Sequence, residues 1–114
     1  MKTILIGKAK KDFYKWYKEN IHISKLDTFF NQEKAKDLFQ IHFISQSETF
    51  KNAIVIEWLD SVGIYVEITR LDTDNPALCW FYSVQGSEIN KEPLNTRNQA
   101  TIKAIEEAVK IYNG

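Results

Sequence analysis

Between Asn52 and Arg70 the chain reads NAIVIEWLDSVGIYVEITR, and its positions alternate on both sides of a break. Ile54, Ile56 and Trp58 interleave with Val55, Glu57 and Leu59. After the break, Ile64, Val66 and Ile68 interleave with Tyr65, Glu67 and Thr69. A two-residue period of this kind predicts a β-hairpin. The break, Asp60-Ser61-Val62-Gly63, suits its turn, with Asp at the first position of a type I turn and Gly at the left-handed residue of the bulge that follows. A helix from Glu48 to Leu59 competes with this reading. Ser45-x-x-Glu48 has the form of a capping box, and Gly63 would lie near the helix C-terminus. The β-branched run Ile54-Val55-Ile56 favours the hairpin.

The same reading places the other elements. Thr3-Ile4-Leu5-Ile6 is a short strand or the lead into a helix, and Gly7 argues against a helix continuous from the start. From Lys8 to Asn20, Phe13, Trp16 and Tyr17 recur at helical spacing, with Ile21 one turn on, and lysines cover the remaining surface. A second helix is expected near Gln32 to Gln40, with Asn31 as its N-cap and Ala35, Leu38 and Phe39 inward. Ile41 to Ile44 reads as a short strand. Asp72-Thr73-Asp74-Asn75-Pro76 is a loop by composition. Ala77 to Val84 is a strand with apolar residues on both faces: Leu78, Trp80, Tyr82 and Val84 on one, Cys79 and Phe81 on the other. A short segment around Ile89 follows, with Pro93 confining any strand there to an edge. The terminal helix opens on the capping box Thr96-x-x-Gln99, repeats Ile102, Ile105, Val109 and Tyr112 at helical spacing, and stops at Asn113-Gly114.

At 114 residues the chain is a single globular domain, 1–114, able to bury its own core without metals or disulfides. With 44% hydrophobic and 26% charged residues it does not have a disordered composition, and no apolar run approaches the length of a membrane span. The single cysteine, Cys79, rules out an internal disulfide framework, and the N-terminus lacks the h-region and cleavage site of a secretory signal. A cytoplasmic location is expected. Fifteen basic residues balance fifteen acidic ones, which removes any chain-wide electrostatic argument for nucleic acid and leaves only local patches.

Two stretches carry a resemblance: WLDSVGIYV, and the terminal TRNQATIKAIEEAVKIYN. Together they resemble a group of small uncharacterised bacteriophage and prophage proteins that pair an "FFDSVGI"-like segment with a "TR-x-EA-xxx-AI-x-KA-x-EIYN"-like C-terminal helix. The chain departs from that pattern at Gln99, where an acidic residue usually precedes the alanine. The resemblance implies a phage-derived accessory protein and supplies no catalytic or binding residues.

Candidate chemistry is sparse. The expected hairpin register sets Glu57 opposite Glu67, an arrangement able to hold a metal or raise one carboxyl pKa, although the simpler reading puts both in solvent. Asp72-x-Asp74-Asn75 starts like a calcium loop, but Ala77 and Ser83 occupy the positions that need Gly and Glu. His22, His42 and Cys79 have no metal-site or nucleophile spacing. No catalytic, cofactor or metal residues are therefore expected, and the chain reads as a non-enzyme. Lys11, Lys15 and Lys18 on the first helix are candidate nucleic-acid contacts, with Tyr14 and Trp16 interleaved for stacking. Leu78, Trp80, Tyr82 and Val84 form a candidate protein interface.

These observations predict an α+β fold: an antiparallel sheet of three to five short strands with the N- and C-terminal helices packed on one face. The expected function is a non-enzymatic protein-interaction module of phage or prophage origin, whose partner is a host or phage protein or a second copy of the chain. A nucleic-acid-binding accessory using the lysine-rich first helix is the alternative.

Overall fold

A computed structural model of the chain describes residues 5–20, 40–85 and 92–114. The fold is α+β. Helix α1 spans Gly7–Asn20, α2 spans Glu48–Ser61 and α3 spans Arg97–Asn113; strands β1, Val66–Arg70, and β2, Trp80–Val84, pair antiparallel. A further helical stretch occupies 40–44.

The expected hairpin across Asp60 does not form, because residues 52–59 belong to α2. Ser47, not Ser45, caps this helix, its Oγ accepting from the Phe50 N–H at 3.2 Å. Three β-branched residues cost at most roughly 0.7 kcal/mol each in a helix. The helical register buries Val55, Trp58 and Leu59 together, and each such side chain contributes roughly 1.5–3 kcal/mol. Burial outweighs propensity.

Gly63 does take the left-handed conformation, at φ +83°, but as the residue that ends α2. Its N–H donates to Asp60 O at 3.1 Å and the Ile64 N–H to Leu59 O at 2.9 Å, a Schellman closure with Leu59 and Ile64 both buried. A Cβ built on Gly63 meets nothing within 4 Å, so the cost of a side chain there is purely conformational. Gly63→Val is expected to lose about 1–3 kcal/mol and Gly63→Ala less, as read from denaturant midpoints at constant m-value.

The real hairpin joins β1 to β2. Val66 faces Val84, Ile68 faces Tyr82 and Arg70 faces Trp80. Glu67 lies opposite Ser83, while Glu57 is on the exposed side of α2, so the expected carboxylate pair does not exist. Thr73 organises the connecting loop, its Oγ1 donating to Leu78 O at 2.8 Å and accepting from the Asn75 N–H. Ala77 and Leu78 therefore sit in a turn, and β2 is shorter than expected. On the far side of β2, Leu94 exchanges two backbone hydrogen bonds with Trp80. Among the described residues the sheet thus has two strands and one bridging residue, fewer than the three to five expected. Ile41–Ile44 is helical, not a strand. The expected helix over 32–40 and the segment at Ile89 lie outside the described residues, apart from Gln40, which is helical.

Helix α3 covers the sheet, and α1 packs on α2 and α3 instead of joining it there. The core explains this arrangement. Phe13 is fully buried, with the rings of Tyr14, Trp16, Tyr17, Phe43 and Trp58 within 4.9–6.1 Å of its own. The aromatic stripe of α1 finds its partners on α2 and the 40–44 stretch. The alanine face of α3, Ala104 and Ala108 beside Ile105 and Val109, allows close approach to both layers.

Candidate functional site

The last turn of α3 determines how α1 begins. Ile6, at the cap position of α1, has no side-chain acceptor to offer the helix. Asn113 supplies it from the other end of the chain, its Oδ1 accepting from the Ala9 N–H at 2.7 Å and its Nδ2 donating to Ile6 O at 3.0 Å. One residue earlier, Tyr112 donates to Asp12 Oδ2 at 2.5 Å, and Lys8 Nζ lies 5.2 Å from the centre of the Tyr112 ring. Asn113, read from sequence only as a helix stop, thus orients the N-terminal end of α1.

The bond to Asp12, then desolvation and the carboxylate's charge, push the Tyr112 phenol up to about 12. A folded value above the unfolded value of roughly 10 means the contribution is fully present below that pH. It is lost as pH rises through about 12. Tyr112→Phe is therefore expected to lower the melting temperature at neutral pH and to flatten its alkaline decline; an unchanged alkaline limb would assign that decline to other groups.

Beside this fixed end runs a groove. Its floor is Tyr14 and Phe43, its walls are Leu5, Ile6 and Ile44, and Lys10 and Lys51 stand at its rim; the cavity measures about 430 Å³. Ile6 is 53% and Ile44 61% exposed, an unusual state for aliphatic side chains flanking an aromatic floor. Ile41, one turn before Ile44, is equally exposed. A shallower extension passes Lys10, Lys11 and Gln40. None of the described lining residues is acidic. Lys51 bridges to Glu48 at 3.3 Å, whereas Lys10 and Lys11 have no ion-pair partner among the described residues.

The sequence-derived candidates fall elsewhere. Trp80, Tyr82 and Val84 share one face of β2, but α3 covers it: Val84 is buried, Tyr82 packs on the core, and the Arg97 guanidinium lies 4.8 Å from the Trp80 ring centre. Leu78 belongs to the turn before the strand. The four residues do not form an open interface. Burial, with the charges of Glu107 and Glu106 adding to it, raises the Tyr82 phenol. Lys11, Lys15 and Lys18 do share a face, and together with Lys8 they make one stripe along the outer side of α1. Tyr14 does not stack beside them, because it is buried against Phe43. His42 is bonded to the Tyr17 hydroxyl at 2.8 Å, and no group of three metal-ligating side chains occurs among the described residues.

The groove was not apparent from the sequence because its walls were assigned to strands. The available signal was Ile41 and Ile44 three residues apart, flanking a Phe43 that α1 requires. Comparisons with protein-family models, with curated proteins and with solved structures find no match.

Proposed function

We propose that this chain is a small non-enzymatic protein-interaction module of phage or prophage origin, and that its groove between α1 and the 40–44 stretch receives an acidic partner segment with apolar side chains. The observation that carries the reading is the pair Ile6 and Ile44, largely exposed over Tyr14 and Phe43 beneath a rim of lysines. The apolar floor supplies affinity, and the lysines select carboxylates over other side chains. A second copy of the chain fits less well, since an isologous contact would set lysine rim against lysine rim. The phage origin is supported by the WLDSVGIYV and TRNQATIKAIEEAVKIYN stretches.

The alternative of nucleic-acid binding is supported by the Lys8, Lys11, Lys15 and Lys18 stripe, which meets the shallow extension of the groove at Lys11. One experiment separates the two. Partner recovery from bacterial lysate, with and without nuclease, is compared for wild type, Ile44→Glu and the Lys15, Lys18→Gln double variant. Burying one aliphatic side chain is worth roughly 1.5–3 kcal/mol, so Ile44→Glu is expected to weaken the complex by about tenfold or more while the folded state persists. A complex that survives Ile44→Glu, or that is lost on nuclease treatment and in the double lysine variant, overturns the groove reading in favour of the stripe.

A further inference from the structure

The ladder between β1 and β2 runs beyond the strands proper, with the Gln85 N–H donating to Tyr65 O at 2.8 Å and the Leu71 N–H to Cys79 O at 2.9 Å. Tyr65, Glu67, Thr69 and Leu71 therefore turn their backbone groups toward β2, and Val66, Ile68 and Arg70 turn theirs the other way. Among the described residues, no group bonds to these outward N–H and C=O groups. The far edge of β2 differs, since Leu94 pairs there with Trp80. Edges that stay solvated are commonly blunted by proline, lysine or a bulge. The edge of β1, Val-Glu-Ile-Thr-Arg, has neither residue, and its register with β2 is unbroken.

At the two ends of this stretch, Tyr65 is 59% and Leu71 41% exposed. Both lie on the sheet face turned away from α3, because Val66 and Ile68 pack on the core from the other face. If a second β1 pairs antiparallel along the edge, outward residues must meet outward residues, which leaves few symmetric registers. A register centred on Glu67 sets that carboxylate against its own copy, and one centred on Arg70 sets two guanidinium groups together; both are repulsive. Centring on Val66 or Thr69 leaves Leu71 or Tyr65 uncovered. Centring on Ile68 sets Val66 opposite Arg70, Glu67 opposite Thr69 and Tyr65 opposite Leu71, so every outward backbone group is paired, both exposed apolar side chains are covered and no like charges meet.

We infer that the chain forms a symmetric dimer in which β1 pairs antiparallel with β1 of a second copy about an axis at Ile68, merging the two sheets into one. Val66, Ile68 and Arg70 of each copy exchange backbone hydrogen bonds with Arg70, Ile68 and Val66 of the other, and Tyr65 packs on Leu71 once on each side of the axis. An unrelated extended peptide would satisfy the backbone groups, but the match of Tyr65 to Leu71 and of Glu67 to Thr69 about one point is a property of two identical strands. Strand β1 contributes no residue to the lysine-rimmed groove, so this contact and the groove reading stand or fall separately.

The test is sedimentation of the full chain from micromolar to millimolar concentration, over which wild type is expected to pass from monomer to dimer. Thr69→Lys sets a lysine opposite Glu67 of the other copy and is expected to tighten the dimer about fivefold, whereas Thr69→Glu sets two carboxylates together and is expected to weaken it about fivefold. Arg70→Pro, at an exposed position, removes an outward N–H and none of the bonds to β2, so it is expected to weaken the dimer about tenfold or more with the circular dichroism preserved. Cysteine pairing checks the register, with Cys79, which faces Leu71 across the ladder, replaced by alanine to prevent an internal disulfide. A mixture of Tyr65→Cys and Leu71→Cys chains is expected to form a disulfide-linked dimer, since these positions make a cross-strand pair with Cα atoms about 4.5 Å apart. Neither variant alone is expected to do so, its two cysteines lying roughly 20 Å apart along the strands. A chain that stays monomeric throughout overturns the proposal and leaves the edge to a different partner. A dimer indifferent to Thr69→Glu and Arg70→Pro, or one cross-linked as readily by either cysteine variant alone, overturns it as well.

Discussion

Phe13→Ala is expected to destabilise the fold by about 3–5 kcal/mol, the largest single effect predicted for this chain. Phe13 has no exposed surface and lies at the centre of five aromatic neighbours contributed by α1, α2 and the 40–44 stretch. Its removal takes away transfer free energy and leaves rings that cannot close over the gap, because Trp58 is also held against Tyr112 at 4.8 Å between centroids. Single domains of this size hold roughly 5–15 kcal/mol in total, so the variant should be partly unfolded at moderate denaturant and should bind dyes that detect exposed apolar surface. Phe13→Leu, which keeps most of the volume, is expected to cost less than half as much. A Phe13→Ala protein within about 1 kcal/mol of wild type would mean that the aromatic cluster is not the folding core.

Asn113→Ala is expected to cost about 1–2 kcal/mol, although the residue is exposed and second from the C-terminus. The loss falls on α1, where the Ala9 N–H loses its partner and the Ile6 carbonyl keeps only the bond from the Lys10 N–H at 3.3 Å. Asn113→Asp keeps the acceptor, adds favourable charge at a helix start and loses only the donor, so it is expected to retain most of the stability. Hydrogen exchange provides the specific readout: protection should fall in the first turn of α1 and persist at the centre of α3. A uniform fall along both helices would assign the effect to α3 itself. Because Ile6 forms one wall of the groove, the same substitution is expected to weaken partner binding by more than its effect on stability alone.

The legible parts of the fold were those where local and tertiary signals agree. The helix over Lys8 to Asn20 and the capped terminal helix formed as read, with Phe13, Tyr17, Ile105 and Val109 buried as their spacing required. Even the cap held, with Gln99 reaching back to the Asn95 N–H instead of that of Thr96. The segment from Asn52 to Leu59 was misread because Ile54, Val55 and Ile56 satisfy a two-residue period locally, while their helical period appears only once Val55, Trp58 and Leu59 have an aromatic surface to meet. Gly63 could not decide between the readings, since a bulged hairpin turn and a Schellman helix end both require positive φ at that position.

The candidate sites separated along the same line. That Lys11, Lys15 and Lys18 share a helix face follows from a period of 3.6 residues and needs no tertiary information. Whether the row Leu78, Trp80, Tyr82 and Val84 is an interface or core does need it, because an apolar strand face looks the same in sequence whichever surface covers it. Here α3 lies on that face.

From sequence alone came the α+β class, the first and last helices, the loop at Asp72 to Pro76 and the αL conformation of Gly63, all set by short-range sterics, capping chemistry and periodicity. Tertiary structure alone decided that 48–61 is a helix, that Asn113 caps α1, and that Ile6 and Ile44 flank one groove. It also brought Asn52 against Asn98, 46 positions away in the chain. These are outcomes of burial and of hydrogen bonds between distant residues, whose free energies exceed local preferences of a few tenths of a kcal/mol per residue and leave no periodic trace in the chain.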